Sequence, residues 1–299
     1  AAAKEPLTLL ILGGTGFTGP LLTEQALARG WKVTHFNRGK RMPDGIAGVE
    51  HLQGDRDGQL DALQGRRWDA VIDTSGYVPR IVRMSAELLA PNVGEYLFVS
   101  SISAYADFRQ PNDEDSPVAA LPDESVEKID GETYGGLKAL CEQAVQRALP
   151  GRSIIVRPGY IVGPLDPTDR FTYWPVRATR GGAILAPGTP QDPIQVVDAR
   201  DLAAWMLDLV QHRRFGTYNA VSAPGQFDIG DVIEASLQAA ANPDTKVTWV
   251  PAKFLEEQFG EEPDLPPWNP TYGTFAAGSL TSTKRAQQTV LKIRPLPDT

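Results

Sequence analysis

The chain has 299 residues, 41% hydrophobic and 22% charged, as expected of an ordinary globular protein of one large or two smaller domains. Its formal net charge of -8 disfavours a nucleic-acid backbone as the main partner, because that binding is driven by Lys and Arg releasing counterions. One cysteine, Cys141, excludes an intrachain disulfide; His35, His51 and His212 are too dispersed to suggest a metal site, and no apolar run approaches the roughly 20 residues that cross a bilayer.

The chain begins AAAKEPLTLL without an initiator Met. Two readings stay open: an artificial start, or a mature end left by cleavage of a leader at a small-residue site. The expected compartment is the cytoplasm, with export of the folded protein to the periplasm as the alternative under the second reading.

The first expected strand, Leu7 to Leu12, runs into GGTGFTGP and a helix-like PLLTEQALARG. Gly13, Gly16 and Gly19, with Phe17 and Thr18 between them, stand where a strand hands over to a helix. In that place one glycine makes a tight turn, one lets the backbone approach a pyrophosphate, and one lets helix and strand pack closely, while the helix N-terminus supplies N–H groups. The alternative is a sharp turn and nothing more. Pro20 suits the first helical turn, where its missing N–H has no intrahelical partner to lose.

A second strand, Lys32 to Phe36, ends in HFNRGKR. NAD sites usually carry an acid at this tip to hold the ribose hydroxyls. Here Asn37, Arg38, Lys40 and Arg41 stand instead, and a guanidinium pairs well with a 2′-phosphate. NADP(H) is therefore the expected cofactor, with Arg38 the principal contact and NAD(H) the alternative. Strands follow at Val49 to Gln53, Asp69 to Asp73, Glu95 to Ser100 and Ser153 to Arg157, with a helix RIVRMSAELLA among them. Strand and helix alternate, and the strands are apolar on both faces, which predicts an α/β fold with a doubly wound parallel sheet. After Pro158 the rhythm breaks into loops rich in Pro, Gly and aromatic residues. Residues 1–157, completed by 194–221, are expected to form a dinucleotide-binding domain, and 158–193 with 222–299 a smaller interleaved lobe for the substrate.

Chemistry enters with TYGGLKALCEQA. Tyr134 and Lys138 are one helical turn apart and share a face. A tyrosine hydroxyl, ordinarily near pKa 10, serves as an acid or base at neutral pH when a nearby cation stabilises the phenolate, and Lys138 offers that cation. The strand EYLFVSSISAY brings serines to the carboxyl edge of the sheet, where open α/β folds bind ligands. Ser101 is positioned to hydrogen-bond a substrate oxygen, with Ser100 and Ser103 as competitors. Cys141, on the Tyr134 helix, is assigned to the core.

The glycine series, SSISAY, Tyr134 with Lys138, and RPGYIVGP, in that order along most of the chain, resemble the extended short-chain dehydrogenase/reductase family of the NAD-dependent epimerase/dehydratase type. The resemblance implies Ser101 and Tyr134 as catalytic residues, with Lys138 also holding the nicotinamide ribose. It implies Asp55 in GDRDG as an acceptor for the adenine amino group with Arg56 beside it, Thr74, Ser75 and Gly76 as a segment under the cofactor, and Pro158 and Ile161 beside the nicotinamide. Tyr77, Ser103, Arg170, Tyr173 and Trp174 are expected at the substrate, although packing of the small lobe is an equally good role for the aromatic residues there. Arg177, Arg180 and Trp268 share this ambiguity. The FNRGK tip is also similar to the subgroup containing chloroplast stem-loop RNA-binding proteins.

The expected activity is NADP(H)-dependent hydride transfer to or from a hydroxyl or carbonyl carbon of a small polar, possibly sugar-like substrate. Net reduction, epimerisation and dehydration share that step. The rival is a non-catalytic dinucleotide-binding regulator or RNA-binding protein; no metal and no membrane partner are expected, and pairing as a homodimer through the Tyr134 helix is implied by the resemblance alone.

Overall fold

Leu9, Leu10, Ile11 and Leu12 are fully buried, and a strand turns successive side chains to opposite faces. Leu9 and Ile11 therefore enter one apolar cluster and Leu10 and Leu12 another, so the first strand is sandwiched between two cores. The computed structural model describes residues 5–42, 44–260 and 265–299; the Ala-rich start lies outside the described residues.

The elements run β1 (Thr8–Leu12), α1 (Gly19–Ala28), β2 (Lys32–Asn37), β3 (Val49–Gln53), β4 (Trp68–Asp73), α2 (Pro79–Leu89), β5 (Val93–Val99), α3 (Tyr134–Ala148) and β6 (Ser153–Pro158). Then come β7 (Tyr160–Val162), α4 (Tyr173–Thr179), β8 (Gly182–Pro187), β9 (Pro193–Ile194), β10 (Val196–Asp198), α5 (Ala199–Gln211) and β11 (Gly216–Ala220). The last are β12 (Phe227–Asp228), α6 (Ile229–Ala240), β13 (Thr245–Val250), α7 (Ala252–Phe259) and α8 (Lys284–Gln288). Seven strands form one parallel sheet in the order β11-β6-β5-β4-β1-β2-β3. Helices α1 and α5 cover one face and α2 and α3 the other. This is a doubly wound α/β fold, and its strand order reverses between β1 and β4, which opens a crevice at the carboxyl ends of the strands.

The segment after Ile194 divides differently from a simple return to the sheet. Val196–Asp198 pairs with β7 in a two-stranded ribbon, and it is Gly216–Ala220, after α5, that joins the main sheet beside β6. A third apolar cluster gathers Trp174, Ile184, Ile194, Ile233, Leu255 and Trp268, so the interleaved segments beyond β6 have a core of their own. No helix among the described residues is long and apolar enough to cross a membrane.

Two contacts set the tolerance of this fold. A Cβ on Gly19 would lie 2.3 Å from the backbone oxygen of Gly14, at the handover from β1 to α1. Gly19→Ala is expected to lower unfolding free energy by about 2 kcal/mol or more in urea denaturation, whereas Gly131→Ala, with open space around its Cβ position, should change it by less than about 0.5 kcal/mol. On β5, Glu95 is buried, and burial pushes its carboxyl up to about 7, with Arg213 pulling it back and Asp69 adding to the rise. Its ordinary value is 4.5, so the folded chain keeps this proton where the unfolded chain has lost it, and the stability it contributes is complete below about 4.5 and lost as pH rises through about 7. In Glu95→Gln the side chain is neutral throughout. Urea midpoints at pH 5 and pH 8 should show the wild type losing ground to this variant as pH rises.

Candidate active site

The crevice holds a cleft of about 1200 Å³. That exceeds the roughly 300–1,000 Å³ of ordinary small-molecule pockets, leaving space for a long ligand with a second one at its end. Its first wall is the loop after β1. Gly13 has a φ of +87°, and a Cβ there would meet the Ser75 Cβ at 2.6 Å, so both conformation and space demand glycine. Thr74 locks this turn by donating its hydroxyl to the carbonyls of Leu12 and Gly13 at 3.1 and 3.2 Å. Around Gly16 the nearest obstacle is the Gly13 oxygen at 3.3 Å, and its backbone faces the cleft. At the start of α1 the Thr18 side chain makes no cap hydrogen bond, the Gly19 N–H donates to the Gly16 oxygen at 3.1 Å and Pro20 has no N–H, so an anion here meets chiefly the backbone groups of the cleft-lining loop itself. These groups fit a diphosphate. Gly13, Gly16, Phe17 and Thr18 line the cleft, while Gly19 serves the packing of α1 on the loop.

At the end of the cleft beside β2 and β3, Asn37, Arg38, Lys40, Arg41 and Asp55 line it. Asn37 shapes the tip by accepting the Gly39 N–H at 2.8 Å. Arg56 also lines it, but its fork is committed elsewhere: it donates to both Asp73 oxygens at 2.7 Å, to Ser85 at 2.7 Å and to Ser75 at 3.2 Å. Tyr96 donates its hydroxyl to the same carboxylate at 2.8 Å. The Arg56 terminal nitrogens are thus engaged by Asp73, Ser75 and Ser85 and are not free hydrogen-bonding groups beside Asp55. Sequence spacing carries no sign of this Asp73–Arg56 pair, since its members come from different strand ends.

Helix α3 delivers Tyr134 and Lys138 to the far end, where Ser100 and Ser101 follow β5. Ser101 and Tyr134 both line this end of the cleft, and the Ser103 N–H donates to Ser101 Oγ at 3.0 Å. Ser103 lines the cleft. Ser100 lines the cleft as well, and its hydroxyl donates to Glu142 Oε1 at 2.5 Å. Lys138 is 3% exposed; its ammonium donates to the carbonyls of Gly76 and Val99 at 2.7 Å each and lies 4.4 Å from the Phe98 ring centre and 5.1 Å from that of Tyr77. Burial pulls Lys138 down to about 8. Burial likewise raises the Tyr134 hydroxyl, and it is the Ser101 hydroxyl and the Arg170 charge that pull it back. The sequence expectation that Lys138 acidifies this phenol is corrected here: desolvation wins, and the ammonium is engaged by carbonyls.

A buried pair missed in the sequence supports these residues. Glu142, two turns after Tyr134 on α3, accepts from Arg157 at 2.9 and 2.6 Å, and the Arg157 guanidinium lies 4.7 Å from the Tyr105 ring centre. Glu142 therefore joins the catalytic helix to the residue before Ser101 and to the residue before Pro158. The i, i+4, i+8 spacing of Tyr134, Lys138 and Glu142 was the available signal.

On the substrate side Tyr77, Pro158, Ile161 and Arg170 line the cleft. Tyr173 and Trp174 do not. Trp174 is 1% exposed in the core of the small lobe and donates Nε1 to the Pro266 carbonyl at 2.9 Å, and Tyr173 packs edge-on against it, 42% exposed on the outer surface. Packing of a small core claims the aromatic pair. Arg177 is spent on the carbonyls of Gly181 and Ala183, Trp268 is buried against Asp192, and Cys141 is buried with its thiol pushed up to about 12. Phe108, Ile129, Thr168, Asn269 and Phe275 complete the substrate wall and come from segments without a local motif.

A family model described as the NAD dependent epimerase/dehydratase family matches residues 9–221. The chain is 27% identical over 232 residues to the chloroplast stem-loop binding protein of 41 kDa b of Arabidopsis thaliana, a match spanning 71% of this chain and 57% of that longer protein. Human epimerase family protein SDR39U1, solved with NADPH, superposes with a TM-score of 0.65 at 20% identity, covering 98% of both chains. The Bordetella bronchiseptica enzyme WbmH, solved with NAD+, gives 0.68 at 17% identity, covering 99% of this chain and 96% of that one. Epimerase Mth375 of Methanothermobacter thermautotrophicus gives 0.68 at 15% identity, covering 97% and 88%. The structural likenesses speak for the shared fold. With the family model spanning most of its length, the chain belongs to the NAD dependent epimerase/dehydratase family, enzymes of the extended short-chain dehydrogenase/reductase type that work with a nicotinamide dinucleotide.

Proposed function

We propose that the protein is an NADP(H)-dependent oxidoreductase or epimerase acting at a hydroxyl or carbonyl carbon of a small polar substrate. The observation that carries this reading is the placement of Ser101 and Tyr134 with a buried Lys138 in the same cleft as the glycine loop. The loop after β1 holds the diphosphate, Asp55 accepts from the adenine, and Arg38 with Lys40 and Asn37 meets the 2′-phosphate. A nicotinamide dinucleotide, when bound, supplies or accepts the hydride.

The chain's own residues handle the oxygen and its proton. Ser101 donates to the substrate oxygen and orients it, and Tyr134 gives that oxygen a proton or removes it. A phenol whose pKa burial has raised is protonated at neutral pH, so its resting state is that of the acid needed to complete reduction of a carbonyl. Lys138, anchored by the Gly76 and Val99 carbonyls, holds the ribose. The NADPH seen in the human neighbour and the basic tip after β2 both support the phosphorylated cofactor. The net charge of -8 favours this reading over an RNA-binding one.

Fluorescence titration should show NADPH binding about tenfold or more tightly than NADH, with Arg38→Ala erasing the difference and leaving NADH nearly unchanged; equal affinities in the wild type would refute the 2′-phosphate assignment. Tyr134→Phe should retain NADPH binding and lose on the order of 10²- to 10⁴-fold in kcat/KM across a panel of hydroxyl and carbonyl substrates. Undiminished turnover removes Tyr134 from the reaction.

A further inference from the structure

The substrate end of the cleft is formed in part by the loop between β7 and α4, whose backbone is held in an unusual shape. Gly163, Leu165 and Asp169 have φ values of +99°, +69° and +54°, a region that is costly for the two non-glycine residues. Its side chains are chained together: Asp166 accepts the Thr168 N–H at 2.9 Å and the Thr168 hydroxyl at 2.5 Å, and that hydroxyl accepts Arg170 Nε at 2.9 Å. The guanidinium lies over the Tyr160 ring, 5.1 Å from its centre. Arg170 is thus fixed through one nitrogen and one face, and it lines the cleft.

None of the ion pairs among the described residues includes Arg170. Among the described residues lining the cleft Asp55 is the single carboxylate, and it stands at the end beside β2 and β3. The other cleft cations are accounted for. Arg38, Lys40 and Arg41 stand at that same end, Arg56 is neutralised by Asp73, and Lys138 is held by two carbonyls. Arg170 is what remains for a ligand beside Tyr134, and its field reaches the Tyr134 hydroxyl.

An exposed guanidinium oriented by a hydroxyl and a ring, with no ion pair among the described residues and in a cleft whose described lining is poor in acids, is suited to pair with an oxyanion. We infer that Arg170 anchors an anionic group of the substrate, a carboxylate or phosphate a few bonds from the reacting carbon. The substrate class is then a small hydroxy or keto acid, a sugar acid or a sugar phosphate, and not a neutral sugar. One guanidinium suits one such group. This assignment rests on the reading of Tyr134 and the nicotinamide site given above.

The test is calorimetry on protein saturated with NADP+, titrated with D-glucuronate, D-glucose 6-phosphate and D-glucose, in the wild type, Arg170→Lys and Arg170→Ala. One anion or both should bind about tenfold or more tightly than glucose, Arg170→Ala should reduce that anion to the level of glucose, and Arg170→Lys should keep part of the preference. The two anions tell carboxylate from phosphate. Anions that bind no better than glucose, or a preference that survives in Arg170→Ala, overturn the assignment. Titration with NADP+ alone separates the two readings: its affinity should be the same in wild type and Arg170→Ala, and a wild type that takes up no NADP+ defeats the cofactor site beneath the proposal.

Discussion

An ammonium group shut away from water must be given partners, and the way Lys138 receives them sets the geometry of the site. Its two acceptors are main-chain carbonyls at the ends of neighbouring parallel strands: Val99 closes β5, and Gly76 follows β4. One hydrogen-bonding centre thus ties α3 to the carboxyl edge of the sheet at the place where ligands bind in such folds. Two aromatic rings, Phe98 below and Tyr77 above, add their faces to the same cation. With Lys138 fixed, Tyr134, one turn earlier on the helix, is held at the same end of the cleft as Ser101.

Beneath this lie two buried ion pairs with different duties. Arg56 and Asp73 hold the loop after β4, whose Ser75 N–H also donates to Asp73 at 3.0 Å. Glu142 and Arg157 hold the ends of β5 and β6 to the catalytic helix, and Tyr105 extends the contact to Asn219 at 2.7 Å. Buried pairs are weak contributors to stability because desolvation offsets most of their attraction; what they supply is a single allowed arrangement, since a misplaced partner leaves an uncompensated charge. From Asn219 the network continues to the Ser282 carbonyl, and Ala277 N–H donates to Phe108 O at 2.7 Å, so the C-terminal segment is stapled across the substrate wall.

Features written in short stretches were legible in the sequence. The six first-half strands and the alternation with helices follow from apolar runs and turn residues, and the glycine series and the Tyr134–Lys138 spacing are local patterns with fixed physical uses. What sequence did not disclose is non-local. Asp73 meets Arg56 from another strand end, and Asn269 and Phe275 reach the cleft from a late segment without any motif of their own. For Trp174 and Tyr173 the sequence left a ligand platform and core packing open, and the structure places Trp174 in the core of the small lobe with Tyr173 packed against it. The sign of the Tyr134 shift turned on the competition between burial and charge, and residue types alone do not weigh that competition.

Tyr134, Lys138 and Glu142 ride on one helix at intervals of a single turn, so their mutual distances are set by a rigid rod and not by three separate loops. The outer wall, by contrast, is assembled from irregular stretches carrying Phe108, Ile129, Arg170, Asn269 and Phe275. Under the function proposed above, proton handling and molecular selectivity are therefore mechanically separate. Remodelling of those stretches, by mutation or by design, can retarget the enzyme to a differently shaped compound while the acid–base apparatus stays in register.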